Sequence, residues 1–201
     1  HEPTGDLERL SKALKDQWNI DSVTCDLRNL GELQRTLRKG NWKITVALFK
    51  DHKAETPKIV NCWPKFHEAG IYGLAIDLGS TTVAAHLTDL ESGAVIASSG
   101  IMNPQIRFGE DLMSRVSYSM MNPGGDSEMT KSIREAINVL VSDIAKDVNV
   151  AHDLILEIVF VCNPVMHHLL LGIDPIELGQ APFALATSEA ISLGADELDL
   201  N

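Results

Sequence analysis

The sequence has little of what marks secreted, membrane or nucleic-acid-binding proteins. Its three cysteines (Cys25, Cys62 and Cys162) are odd in number and far apart, which excludes a disulfide framework and the close spacings of metal or iron–sulfur sites. The longest apolar run, Ile158–Cys162, is preceded by Glu157 and is too short to span a bilayer. A net charge of −11 excludes the clustered basic surface that nucleic acids require. These absences predict a cytoplasmic protein without membrane or nucleic-acid partners.

The segment from Ile71 to Leu90 predicts two apolar strands joined by a tight turn. The first has the residues of a buried central strand except for Asp77, whose carboxylate is costly there unless it is paired, hydrogen-bonded or bound to a cation. Gly79 then lets the backbone approach another group closely. Three hydroxyl residues follow: Ser80, Thr81 and Thr82. Hydroxyls, amides and one acid at a hairpin tip are the groups needed to hold a phosphate and its Mg²⁺. The alternative is an ordinary hairpin whose aspartate only opens the turn.

Residues 1–64 predict a small α/β domain with the order α-β-α-β-β. The predicted elements are helix Asp6–Trp18, strand Ser22–Asp26, a helix ending at Arg38, and strands Trp42–Phe49 and Lys58–Cys62. Asn29 and Glu32 have the spacing of a capping box at the start of the second helix. No constellation here indicates a site, and His52 and His67 fit solvated loop positions better than metal-ligand positions.

From Ile71 onward the pattern predicts a second domain with the order β-β-β-helix-β-helix. The predicted elements are strands Tyr72–Asp77, Val83–Leu90 and Ala94–Gly100, a helix capped at Asp126 or Ser127 and reaching Val148, strand Ile155–Cys162, and helix Val165–Leu171. The strand ending at Cys162 is apolar enough to be covered on both faces. A meander followed by a crossover helix into a parallel strand is the opening half of a ribonuclease-H-like mixed sheet. The predicted fold class is therefore α/β, with a small α/β domain followed by an actin- or Hsp70-type subdomain.

Several motifs of the second domain resemble one family within that fold class. The segment Asp77–Thr82 resembles the first phosphate loop of actin-like ATPases and kinases. The further motifs are Asn103-Pro-Gln105, Phe108-Gly-Glu-Asp111, Ser114-Arg115, Cys162-Asn-Pro-Val-Met-His-His168 with its continuation to Pro175, Leu178-Gly179 and Ala181-Pro-Phe183. Their combination and order, from about residue 73 to residue 183, resemble the ATP-dependent reductive activators of corrinoid proteins.

The resemblance implies ATP and Mg²⁺ as cofactors and a corrinoid protein of a methyltransferase system as partner, with a homodimer left open. In that family, ATP binding is coupled to the reduction of an adventitiously oxidised Co(II) corrinoid to Co(I). The family's [2Fe–2S] ferredoxin domain, second phosphate loop and adenosine-binding glycines have no counterpart here. We therefore expect a fragment that builds half of a nucleotide cleft, with the iron–sulfur cluster in a domain absent from this chain.

In that scheme, residues 1–64 are the small middle or linker domain. Residues 71–201 are the first half of the actin-like ATPase domain, and they supply the first phosphate loop and a contact surface for the corrinoid protein. Cys162 departs from the family pattern, which usually has glycine at this position.

The resemblance also implies the roles of the loop residues. Asp77 is the expected catalytic residue and holds Mg²⁺ through water. The alternative is an aspartate that the amides of Gly79 and Ser80 satisfy. The loop from Gly79 through Ser80 and Thr81 to Thr82 is expected to bind phosphate, although Thr82 fits a plain strand residue equally well.

Asn163 follows a parallel strand at the end where α/β sheets place ligands, which favours a binding role; the alternative is capping of the next helix. His167 and His168 are adjacent on a helix and do not face one another, so we expect one to pack and the other to face solvent. For Asp111 and Arg115 the i, i+4 spacing favours a surface ion pair over a cluster in the cleft.

Two other functions stay open at this point. A sugar or acid kinase of the actin-like superfamily needs a sugar-binding acid near the loop, and none is identified. A non-enzymatic actin-like scaffold keeps the fold without responding to nucleotide.

Overall fold

The computed structural model describes residues 4–51 and 53–200. It is a mixed α/β protein with two compact units, His1–Ala69 and Gly70–Asn201, each with its own sheet. Among the described residues, no helix combines the length and the apolar character needed to cross a membrane.

The first unit has the predicted α-β-α-β-β order. Its elements are α1 (Asp6–Trp18), β1 (Thr24–Cys25), α2 (Leu27–Lys39), β2 (Ile44–Phe49) and β3 (Lys58–Pro64). Strand β3 lies in the centre of the sheet, parallel to β1 and antiparallel to β2. The two helices bury their leucines, Leu10 and Leu14 from α1 and Leu33 and Leu37 from α2, in a core that includes Ile59. This core follows from the 3.6-residue periodicity of both helices.

Three expectations for this unit were wrong in detail. Helix α2 begins at Leu27, because Asp26 caps it and accepts a hydrogen bond from the amide of Asn29 (2.9 Å); the expected capping box does not form. The helical spacing places Trp18 on the same face as Leu7, Leu10 and Leu14, but Trp18 is 73% exposed at the end of α1. His67 is only partly exposed, because its ring stacks on Trp63 with 4.0 Å between ring centroids. His52 lies outside the described residues.

The second unit has the order β-β-β-α-α-β-α, which contains one more helix, Leu112–Met121, than the predicted β-β-β-helix-β-helix order. Its strands are β4 (Tyr72–Leu78), β5 (Thr82–Asp89), β6 (Val95–Met102) and β7 (Ile155–Cys162), and its α-helices are α3 (Leu112–Met121), α4 (Gly125–Asp147) and α5 (Pro164–Leu171). Short 3₁₀ turns lie at Pro104–Arg107, His152–Leu154, Ile176–Gly179 and Ala195–Leu198. The sheet order is β6-β5-β4-β7, with β4 antiparallel to β5 and parallel to β7. The predicted mixed sheet and α/β fold class are confirmed.

Helix α4 starts differently from the expectation. Gly124, at a left-handed φ of 84°, is its N-cap residue, and neither Asp126 nor Ser127 caps it. The helix runs one turn earlier because glycine adopts this conformation without strain. Asp126 instead lies in the first turn, where a carboxylate interacts favourably with the helix dipole.

The described residues bury one face of the sheet in the second unit and leave much of the other face exposed. Leu74, Ile76 and Leu78 point into the core formed with α4 and α5. The alternate residues of β4, Ala75 and Asp77, are exposed. Their register partners on β7 are Val159 and Val161, which are 51% and 67% exposed. The expectation that β7 is covered on both faces was wrong for the described part of the chain, and Asp77 does not bear the cost of burial.

Candidate functional site

The loop after β4 lies at the edge of the sheet where two parallel strands end side by side. Leu78 pairs with Cys162 in the parallel β4–β7 register, so Gly79 and Asn163 leave neighbouring strands at the same edge. The loop is closed by the amide of Gly79, which donates to the carbonyl oxygen of Thr82 (3.0 Å). A Cβ atom at position 79 would lie 2.6 Å from that oxygen, so the turn requires glycine.

Several polar groups of this loop have no hydrogen-bond partner in the described part of the chain. The Asp77 carboxylate and the hydroxyls of Ser80, Thr81 and Thr82 make no hydrogen bond to any described residue, and neither do the backbone amides of Ser80 and Thr81. The Gly79 amide is used within the turn, so the alternative in which turn amides satisfy Asp77 does not hold. Exposed carboxylate and hydroxyl oxygens are the hard donors that Mg²⁺ and its water shell prefer. The residues present therefore fit a phosphate with its magnesium ion.

Thr82 is a strand residue, as one of its two interpretations predicted. It is the first residue of β5 and pairs with Met102 of β6, so its backbone is part of the sheet. Its side chain is nevertheless exposed beside the turn. The strand assignment therefore leaves its hydroxyl available to a ligand.

Asn103 supports the loop from the protein side. Its side chain is 0% exposed, and Nδ2 donates to the carbonyl oxygen of Gly79 (2.8 Å). Its backbone amide donates to the carbonyl oxygen of Thr81 (2.8 Å). Its Oδ1 accepts from the amide of Gln105 (2.9 Å), which caps the 3₁₀ turn that begins at Pro104. One asparagine thus fixes two carbonyls of the loop and the turn that holds it.

Arg115 of α3 reaches the same loop from below. Its guanidinium is 0% exposed, and Nη2 donates to the carbonyl oxygen of Ser80. Nε donates to the carbonyl of Gly109 (3.0 Å), and Nη1 to Gln105 Oε1 (3.3 Å) and Met166 Sδ (3.1 Å). Burial lowers the pKa of Arg115, and the charge of Asp111 offsets part of that effect.

The expected surface ion pair between Asp111 and Arg115 was wrong. Asp111 is the N-cap of α3 and accepts from the amide of Ser114 (2.7 Å), a bond that lowers the pKa of its carboxyl group. Arg115 lies one turn later but points inward, where carbonyl and thioether acceptors satisfy it. The i, i+4 spacing alone does not distinguish these two orientations.

Asn163 caps α5, as its alternative interpretation proposed. Its Oδ1 accepts from the amide of Met166 (3.0 Å), while its Nδ2 has no partner in the described residues. Met166 is fully buried, and its sulfur accepts from Arg115 and, at 3.9 Å, from Asn103 Nδ2. The capped helix is therefore coupled to the loop, and one donor of Asn163 is left at the sheet edge.

The sequence did not predict that Asn103, Arg115 and Met166 support the loop, although each lies in a motif that carries the family resemblance. The asparagine before Pro104 was a usable signal, because Asn-Pro pairs favour turns that the asparagine side chain caps. No comparable signal marks an arginine that points into the core.

The paired histidines behave as predicted. His168 is buried, with Nδ1 donating to the carbonyl oxygen of Pro164 (2.8 Å) and Nε2 accepting from the amide of Ala186 (3.1 Å). These two bonds require the neutral ring with its proton on Nδ1. His167 is partly exposed, and burial and the neighbouring His168 lower its pKa. Within residues 4–51 and 53–200, no group of three His, Cys, Asp or Glu side chains is arranged to hold a metal.

The cysteines do not fit an iron–sulfur cluster. Cys25 and Cys62 belong to the first unit and Cys162 to the second, and all three are free. Burial raises the pKa of each thiol, and the charge of Asp77 raises that of Cys162 further. These thiols remain protonated at neutral pH and are poor ligands and nucleophiles.

A cavity of about 420 Å³ lies elsewhere in the second unit. It is lined by residues of α4 together with Gly172 and Asp199. None of the predicted site residues lines it. The candidate site is accordingly an open edge of the sheet and not this cavity.

Comparison with known proteins gives consistent matches for both units. A family model described as the RACo middle region matches residues 72–201, and one described as the RACo linker region matches residues 1–69. The corrinoid activation enzyme RamQ of Eubacterium limosum is 34% identical over 126 residues, which are 63% of this chain and 21% of RamQ. A solved structure of a reductive activator for corrinoid, iron–sulfur protein matches with a TM-score of 0.85 and 31% identity, over 99% of this chain and 31% of that one. The chain thus spans between about a fifth and a third of the length of these relatives.

Proposed function

The chain belongs to the RACo family, and from this premise we propose that it serves an ATP-dependent reductive activator of a corrinoid protein. In this proposal, a reductant supplies one electron, which the activator passes to an oxidised Co(II) corrinoid and so restores Co(I). Two relatives that carry the names of corrinoid activators support this proposal over a sugar kinase. The described residues hold no cysteine set for an iron–sulfur cluster, so we assign no electron-transfer step to them. We place the activator in the cytoplasm, where free thiols such as these are ordinary.

The observation that carries the proposal is the loop from Asp77 to Thr82. It presents one exposed carboxylate, three hydroxyls and two backbone amides that have no partners among the described residues. In this proposal, Asp77 holds Mg²⁺ through water, and the amides and hydroxyls of Ser80 and Thr81 bind phosphate oxygens. Bound Mg·ATP supplies the binding energy that is coupled to corrinoid reduction.

The other predicted residues have supporting roles. Gly79 lets the turn close without a side chain against Thr82. Asn163 has its Nδ2 available at the same sheet edge as the loop, where it can donate to a ligand oxygen while its Oδ1 caps α5. The binding energy of the phosphate is thus distributed over the ends of two adjacent strands.

The test is the replacement of Asp77 by alanine in the full-length protein. Mg·ATP at 100 times its dissociation constant stabilises a protein that binds it by about 2.7 kcal/mol, which a thermal-shift assay resolves easily. We expect wild type to show this shift and Asp77→Ala to lose most of it. Asp143→Ala is the matched control, because it removes the same charge from an exposed position on α4. An undiminished shift in Asp77→Ala would remove this residue from the site.

The activity is tested by the visible absorbance of the corrinoid protein during reduction from Co(II) to Co(I). With a reductant supplied, we expect Mg·ATP to accelerate formation of Co(I) by wild type and by Asp143→Ala, and not by Asp77→Ala. If wild type formed Co(I) at the same rate with and without Mg·ATP, the proposed coupling would be contradicted.

A further inference from the structure

Arg115 is a buried positive charge that has no carboxylate partner among the residues that the structure describes. Its acceptors there are all neutral: two backbone carbonyls, the amide oxygen of Gln105 and the sulfur of Met166. Asp111, whose charge acts on Arg115, is exposed and uses its carboxylate to cap α3. Burying an ion without an opposite charge is costly, and neutral hydrogen bonds only partly offset this cost. A buried guanidinium with only neutral acceptors therefore indicates a role for Arg115 beyond packing.

The bonds from Arg115 and Asn103 hold three consecutive loop carbonyls on the protein side. Asn103 binds the carbonyls of Gly79 and Thr81, and Arg115 binds the carbonyl of Ser80 between them. In a planar trans peptide the carbonyl and the following N–H point in opposite directions. Fixing these carbonyls inward therefore turns the next amides outward.

The outward amides include those of Ser80 and Thr81, which have no hydrogen-bond partner in the part of the chain that the structure describes. Successive free amides on a turn form a concavity that binds anions. A guanidinium directly beneath the turn adds positive potential to it, and the surrounding protein screens that charge less than water does. The two effects favour the same kind of ligand.

We propose that Arg115 is a positioning residue of the phosphate loop, which holds the Ser80 carbonyl so that the loop amides face the ligand and whose charge strengthens phosphate binding. This inference rests on the proposed nucleotide site and adds a residue that does not itself touch the nucleotide. Asn103 completes the support, and Met166 links it to the helix that Asn163 caps.

The experiment compares Arg115→Met and Arg115→Lys with wild type in the full-length protein. Methionine is an uncharged side chain of similar length. Lysine keeps the charge, but its ammonium cannot donate to three acceptors in one plane as a guanidinium does. Arg107→Met is the control, because Arg107 is exposed and lies nearby in sequence. Its guanidinium lies over the ring of Phe108. The dissociation constants of Mg·ATP and of inorganic pyrophosphate are measured by calorimetry at a temperature where every variant is folded. Amide hydrogen exchange of the 79–82 segment is measured without ligand.

We expect Arg115→Met to weaken both ligands by about 10- to 100-fold, as for the loss of a hydrogen bond to a charged group. Arg115→Lys should recover part of this loss, because it restores the charge, and Arg107→Met should bind as wild type does. Exchange of the loop amides should quicken in both Arg115 variants. A purely structural role would lower the melting temperature, leave both dissociation constants unchanged and show no recovery by lysine.

The outcomes separate this inference from the proposed function. If wild type binds neither ligand, the proposed function fails and the inference falls with it. If wild type binds, Asp77→Ala does not, and the Arg115 variants bind as wild type does, the inference alone is overturned. If Arg115→Met does not fold, the test rests on Arg115→Lys. The inference is overturned if Arg115→Lys binds both ligands with the dissociation constants of wild type.

Discussion

Replacing Gly79 by alanine tests the geometry of the loop directly. The added Cβ atom would lie 2.6 Å from the carbonyl oxygen of Thr82, and real Cβ atoms hardly ever approach closer than 3.0 Å, so this oxygen has to retreat by about 0.4 Å. The oxygen is part of the backbone and accepts the Gly79 amide at 3.0 Å, so its retreat strains the bond that closes the turn. Overpacking and a weakened hydrogen bond together destabilise by about 2–4 kcal/mol.

The assay is urea unfolding of wild type, Gly79→Ala and the control Gly100→Ala, followed by circular dichroism. A Cβ atom at Gly100, on the neighbouring strand β6, would lie 3.4 Å from the nearest atom, which is an ordinary contact. We expect the control to stay within about 1 kcal/mol of wild type, since alanine at a glycine in a strand has a small effect. Equal stability of the two alanine variants would refute the argument that this turn admits only glycine. A Gly79→Ala variant that kept the full Mg·ATP shift would show that the loop tolerates a wider turn.

Two further predictions concern a charged residue in the first unit and a buried hydrogen bond in the second. Burial alone raises the pKa of Asp26, but the amide of Asn29 and the ammonium of Lys58, 3.3 Å away, outweigh it and lower that pKa. The contribution of the Asp26 charge is therefore present above the unfolded value of about 3.9 and is lost as the pH falls through the lower folded value. Asp26→Asn should flatten the loss of urea stability between pH 5 and pH 2, and an unchanged slope would contradict this. In the second unit, Thr130→Val should destabilise by about 1–3 kcal/mol, because it leaves the buried carbonyl of Leu169 without its 2.7 Å hydrogen bond; a variant as stable as wild type would contradict it.

The order of elements was predictable because it depends on local patterns. Helices α1 and α2 show their leucines every three or four residues, and the glycines at positions 79, 93 and 172 mark turns or helix ends. Strand β7 has the bounds predicted for it, since Asn163-Pro164 ends any strand. These features act over a few residues, and the sequence displays them directly.

The exposure of the strand faces was less predictable, because it depends on which other elements cover each face. An apolar run such as β7 indicates a strand with two apolar faces, but it does not say whether a second layer is present. In the described residues, the face with Val159 and Val161 is not covered, and Asp77 on the adjacent strand shares that exposure. Because Asp77 is exposed, its carboxylate does not bear the cost of burial that the apolar strand predicted. Its proposed role rests instead on a carboxylate that makes no hydrogen bond to any described residue.

The site residues divide in the same way. A loop of Gly, Ser and Thr after an apolar strand is visible in the sequence because its chemistry lies in consecutive residues. The contacts beneath it join residues that are 24 to 63 positions apart, from Gly79 to Asn103 and from Asn103 to Met166. Helical spacing assigned Arg115 to the surface, and only the tertiary structure places it inside.

This division explains why the resemblance to the family is more specific than the loop. A phosphate loop needs small residues, hydroxyls and amides, and many actin-like proteins meet that need. The way in which the loop carbonyls are held from below is a separate problem of packing, and here Asn103, Arg115 and Met166 solve it through mutual contacts. The Met166 sulfur accepts from both Asn103 and Arg115, so a change at Met166 removes one acceptor from each of these two buried side chains. The motifs that carry the family resemblance therefore include residues beneath the proposed phosphate loop, where Asn103 and Arg115 bind its backbone carbonyls.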